Sequence, residues 1–128
     1  MKPHRIQLKR VKGFNLQRIS RGLNGLDAIV VSRPSKFGNP FWHEQKFYGI
    51  EKALALYESL AHGIWNPALT DDVVNSSITY DAHHAWMKRI GGHPIEVIRR
   101  DLRGFNLACW CKLTNSCHAD ILLRIANE

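Results

Sequence analysis

The chain has 128 residues, 45% hydrophobic and 23% charged, a composition that suits one globular domain, for which disorder is not the default. Its formal charge of +7 sits at the start: residues 1–21 hold seven Lys and Arg and no acid, and the remainder has eleven of each sign. With no apolar run long enough for a membrane span or a secretory leader, and three cysteines that form no even disulfide framework, a cytoplasmic protein is expected.

Residues 1–21 read as a basic arm on a single α/β domain. Such an arm is attracted to phosphate, in nucleic acid or in a nucleotide, or is simply a solvated terminus. Asn24-Gly25 marks a turn. Ala28-Ile29-Val30-Val31 is a short β-branched run that reads as a buried strand. It leads into Arg33-Pro34-Ser35-Lys36-Phe37-Gly38-Asn39-Pro40-Phe41, where two prolines, a glycine and an asparagine preclude regular structure. Between Gly49 and Gly63 the apolar residues Ile50, Ala53, Leu54, Tyr57, Leu60 and Ala61 recur at helical spacing. Residues 65–77 show no fixed pattern. A short helix is expected from Tyr80 to Ile90, and its His83 and His84, like His93 beyond it, are expected on a solvated face. Pro94 suits the first turn of a further helix ending before Gly104. Leu107 to Cys111 reads as a second strand. A last helix is expected from about Cys117 to Asn127, with Ile121, Leu122 and Ile125 making one apolar face and Asn115 or Ser116 as its cap.

Strands alternating with helices predict an α/β fold: a small three-layer, Rossmann-like domain whose mostly parallel sheet is flanked by helices. Two strands are few for such a sheet, and a third is expected in residues 64–80 or in the arm. In a parallel sheet the loops that leave the strand C-termini share one edge, where ligands bind. If the two strands are neighbours, the loops at 33–41 and 109–118 face one pocket.

In the first loop, Arg33, Ser35 and Lys36 offer a fork, a hydroxyl and an ammonium, Gly38 permits close backbone approach, and Asn39 bonds in two directions. These are the groups that hold a phosphate, a ribose or a base edge. Neither the GxxxxGK[ST] nor the GxGxxG spacing is present. In the second loop, Cys109, Cys111, Cys117 and His118 make a C-x-C-x5-C-H set that could hold zinc, although adjacent Cys117 and His118 must both turn toward one ion. Two alternatives stand beside zinc: a Cys117 thiolate favoured by a helix N-terminus with His118 as acid or base and Asp120 nearby, and an anion site on the same helix end. Cys109 and Cys111 could also be plain core residues. Glu44 and Asp120 are the carboxylates that a catalytic reading would use.

The motifs RPSKxGNPF at 33–41 and LRGxNLACWC…CHADxLL at 102–123, after a basic start at 5–14, give the chain a family likeness. It resembles a family defined only as a domain of unknown function, DUF4326, frequent in phages and prophages. The resemblance spans most of the chain and implies no particular reaction; a phage-encoded member would work in the host cytoplasm. Residues 15–26 look divergent from the family pattern, and 68–79 look like an insertion. The expected function is binding or modification of a nucleotide or nucleoside in the shared pocket. The alternative is a zinc-stabilised module that binds nucleic acid through residues 1–21.

Overall fold

The structure, a computed structural model, describes residues 2–41, 45–46, 49–65 and 76–128. Its elements are β1 (Arg5–Gln7), α1 (Leu16–Asn24), β2 (Ala28–Val30), α2 (Ile50–Ala61), α3 (Ser76–Ile90), α4 (Pro94–Leu102), β3 (Asn106–Cys109) and α5 (His118–Asn127). The three strands form one parallel sheet in the order β1-β3-β2. The fold is therefore α/β, and the expected strands at 28 and 107 are neighbours.

The third strand comes from the basic arm. Ile6 and Leu8 are buried while Arg5 and Gln7 are only partly covered, so the period-2 alternation of a half-buried strand is present, but over very few residues. In the ladder Ile6 stands opposite Ala108 and Val30 stands opposite Ala108 on the other side. β3 is thus hydrogen-bonded on both edges, and all four of its residues are buried.

Successive β3 residues feed two apolar clusters, as alternation requires. Leu107 and Cys109 join Val31 and residues from α2, α3, α4 and α5, among them Leu60, Trp86, Ile98 and Leu122, in the main core. Ala108 joins Ile6, Leu8 and Ala28, with Phe14 and Leu16 packed against them. Where the sheet begins, buried Asn106 acts as a polar key. Its amide donates to Ser20 Oγ at 2.8 Å and exchanges two 2.8 Å bonds with Asn24, and its carbonyl also accepts the His4 amide at 2.8 Å.

Residues 16–21 of the expected arm are helical, in α1, which runs on to Asn24. Asn15 caps α1, its side chain accepting the Arg18 amide, and Gly25 closes it at φ 79°, its N–H donating to Arg21 at 2.8 Å. Gln17 then bonds both the carbonyl and the amide of Ala28 at 2.8 Å, imitating a further strand on the outer edge of β2. The helices expected at 50, 94 and 118 form close to their expected bounds, and α3 begins four residues before Tyr80. Cys117, not Asn115 or Ser116, occupies the cap position of α5. The strand expected to reach Cys111 ends at Cys109. His83 corrects another expectation: it is buried, edge-on to Trp65 at 5.2 Å, and burial, with His84 beside it, lowers its pKa. Trp65 was needed to cover it, and nothing local signals that contact. Among the described residues no helix is long and apolar enough to cross a membrane.

Candidate functional site

The chain leaves β2 at Val30 and enters the first loop. Val31 still bonds β3, its N–H donating to Ala108 at 2.9 Å. Two turns follow, with Ser35 N–H on Ser32 and Gly38 N–H on Ser35, both at 2.9 Å. The side chains of Ser35 and Asn39 bond the loop's own backbone, accepting the amides of Phe37 and Phe41. Phe37 and Phe41 are buried, and the Tyr57 hydroxyl of α2 donates to the Phe37 carbonyl at 2.6 Å. Burial pushes the Tyr57 phenol well above its usual range, so it remains a donor. Gly38 is needed because a Cβ there would lie 2.6 Å from Arg33 Cγ and 2.9 Å from the Arg33 backbone. The loop is therefore held in one shape from both sides.

That shape divides the residues that were expected to grip a ligand. Lys36 reaches away to α4, 2.7 Å from Asp101. Ser35 is used by the loop itself, and Gly38 is buried beneath Arg33. Arg33 is exposed and makes no hydrogen bond or ion pair among the described residues. Asn39 offers its amide group, since its carbonyl oxygen serves Phe41. Glu44 lies outside the described residues.

The second loop is organised by a residue from the arm. Arg5, its side chain only 8% exposed, donates to the carbonyls of Lys112, Leu113 and Asn115 at 3.1, 2.9 and 2.7 Å. It also pairs with Asp120 at 3.0 Å. Asp120 is thus turned to Arg5, not to the cysteines. The planar guanidinium satisfies several carbonyls of an irregular segment at once, which a lysine cannot do.

Around this loop Cys109, Cys117 and His118, all buried, place their donor atoms within 4.8 Å of one another. Cys111 is half-buried, with Sγ 3.8 Å from Cys109 Sγ, and all three cysteines are free. Cys117 Sγ lies 3.6 Å from His118 Nδ1, and His118 Nε2 donates to the Val31 carbonyl at 2.8 Å. Tyr57 packs edge-on to the His118 ring at 5.2 Å. Hydrogen bonding from Cys117 holds the Cys109 thiol far below its ordinary range despite burial. The same bond and burial push Cys117 upward, and burial raises Cys111. Sulfur and imidazole donors crowded this closely form a set that suits a soft or borderline cation.

The two loops meet at a pocket of about 260 Å³. Arg33, Asn39, Cys109, Cys111 and His118 line it, as do Ser32, Gln45 and Trp110, which the sequence did not single out. Trp110 remains 45% exposed, and the Arg10 guanidinium lies over its ring, 4.9 Å from the centroid. Residue 110 sits between two cysteines that draw the eye, and its exposure follows only from β3 ending at Cys109. Tyr57 and Arg5 were missed because their partners are 20 and more than 100 residues away.

Comparison with characterised proteins returned no match, and comparison with solved structures returned none. The comparison with protein families returned one described as Domain of unknown function (DUF4326), matching residues 14–128. That match takes in both loops, the pocket they line and the cysteine–histidine cluster, and the chain belongs to this family.

Proposed function

We propose that the protein binds a nucleoside phosphate in the pocket between the two loops. The observation that carries this reading is the Arg33 guanidinium, without a partner among the described residues, at a pocket that also exposes the Trp110 ring. A fork of N–H donors suits a phosphate, and an exposed indole suits a base. The Asn39 and Gln45 amides add donors and acceptors for a sugar or a base edge. The small volume favours a mononucleotide over a dinucleotide, since ligand pockets commonly run from about 300 to 1,000 Å³. Burial of Leu107 and Ala108 in separate apolar clusters supports a three-layer, Rossmann-like reading, in which a ligand at this strand edge is the expected arrangement. A phage setting and the host cytoplasm, which the motif resemblance implies, fit a protein that handles nucleotides.

Calorimetry with a panel of nucleoside monophosphates and their parent nucleosides tests the proposal. At least one monophosphate binds, and its nucleoside binds more weakly by about tenfold or more, because a hydrogen bond to a charged group contributes roughly 1.5–3 kcal/mol. Arg33→Ala removes the difference between the two. Equal affinity of phosphate and nucleoside, or undiminished binding by Arg33→Ala, contradicts the proposal.

A second reading, nucleic-acid binding, is favoured by one contact: Arg10 on Trp110 joins the basic segment to the pocket rim, next to exposed Lys9 and Lys12. Single-stranded oligonucleotides would then bind with steep salt dependence, weakened in Lys9→Ala/Lys12→Ala. Salt-insensitive binding rules this reading out.

A further inference from the structure

We infer that Cys109, Cys111, Cys117 and His118 bind one zinc ion in a tetrahedral site, with His118 coordinating through Nδ1. Zinc–sulfur bonds near 2.3 Å and zinc–nitrogen bonds near 2.0–2.1 Å give a tetrahedron edges of about 3.8 Å between sulfurs and about 3.5 Å between sulfur and nitrogen. The Cys109–Cys111 sulfur separation is 3.8 Å, and Cys117 Sγ to His118 Nδ1 is 3.6 Å. Both match the expected edges.

The histidine is set in the required tautomer. Its Nε2 lies 2.8 Å from the Val31 carbonyl, which can only accept, so Nε2 carries a proton, and in the neutral imidazole the Nδ1 lone pair is left for a metal. Bonding of the second ring nitrogen to a carbonyl is how metal-ligating histidines are held. The edge contact from Tyr57 restrains the same ring.

Adjacency of Cys117 and His118 is no obstacle. Cys117 is extended, at φ −150° and ψ 150°, and His118 opens the helix, so the backbone changes direction between them. That change is what lets neighbouring side chains converge, 3.6 Å apart at their donor atoms. Three sulfurs and one imidazole select a soft or borderline cation over magnesium or calcium.

The four ligands are not equivalent. Cys109, Cys117 and His118 form the tight, buried trio, whereas Cys111 is half-buried, lines the pocket and stands outside that trio. Cys111 is accordingly the weakest ligand, on the side that faces the pocket. The ion joins the end of β3 to the start of α5 and, through His118 and Val31, to the end of β2, clasping both loops. Zinc binding and nucleotide binding are measured independently, so either can fail without the other.

Elemental analysis and native mass spectrometry of untagged, reduced protein, followed by cobalt substitution, test the site. One zinc per chain is expected. The cobalt form is expected to show intense thiolate-to-metal absorption in the near ultraviolet and strong visible bands of tetrahedral geometry. Cys117→Ser loses the metal. Cys111→Ser keeps one metal but with affinity reduced by at least the roughly tenfold that losing an outer partner of a metal site costs. Wild-type protein that takes up neither zinc nor cobalt, or binds cobalt without thiolate absorption, overturns the inference. So does a folded Cys117→Ser variant with unchanged metal content. Because the decisive cobalt spectrum is recorded on the wild type, a variant that fails to fold does not decide the outcome.

Discussion

Tyr57 touches both halves of the site: its hydroxyl bonds the Phe37 carbonyl of the first loop, and its ring packs on His118 of the second. Tyr57→Phe keeps the packing and strands a carbonyl. A loss of about 1–3 kcal/mol in urea unfolding is expected, the cost of a buried group left unsatisfied, and unchanged stability contradicts the role. Two glycines give a matched comparison. Gly38→Ala forces a Cβ into the Arg33 backbone and is expected to destabilise by about 1–3 kcal/mol, the usual range for overpacking. Gly22→Ala, in α1 with nothing within 4 Å, is expected to stabilise by roughly 0.5–1 kcal/mol. Thermal melts of the two variants should move in opposite directions. At this scale the sequence exposed residue types well and partners poorly. Arg33, Asn39 and the cysteines were visible as chemistry, but that Lys36 serves Asp101 and Asp120 serves Arg5 depends on contacts 65 and 115 residues apart.

Among the elements, legibility followed the size of the buried stripe. α2 buries Ala53, Leu56, Tyr57, Leu60 and Ala61, and α5 buries Leu122, Ile125 and Ala126, so the periodic signal was strong in both. α1 buries only Ser20 and leaves Ile19 and Leu23 exposed, and β1 has three residues, so charge concealed both. The join between the first loop and α4 yields a pH prediction. Asp101 bonds Arg100 and Lys36, and those bonds lower its pKa from 3.8 to about 2. A carboxyl lowered in the folded state stabilises when ionised: the contribution is full above its unfolded pKa and fades as pH falls toward the folded value. Both cations are substantially exposed, so the effect is small. Wild type should melt above Asp101→Asn at pH 5, and the gap should close between pH 3.8 and about 2. A gap as large at pH 2 as at pH 5 contradicts the assignment.

For the whole molecule, the strand order carries the functional account. β2 and β3 lie side by side and parallel, so their C-terminal ends open on the same edge, and the loops at 33–41 and 109–118 meet there. The sequence allowed that juxtaposition as a condition, because nothing in either strand states which neighbour it takes. The basic arm was legible as charge and not as structure: its first part completes the sheet, and Arg5 and Arg10 reach the second loop from it. The most direct test is a 15N NMR titration of zinc-loaded protein with a nucleoside monophosphate. With a shared pocket, the Trp110 indole and the Asn39 and Gln45 side-chain amides shift together and saturate with one affinity. Shifts confined to residues 9–23, or none at millimolar ligand, would contradict a shared pocket.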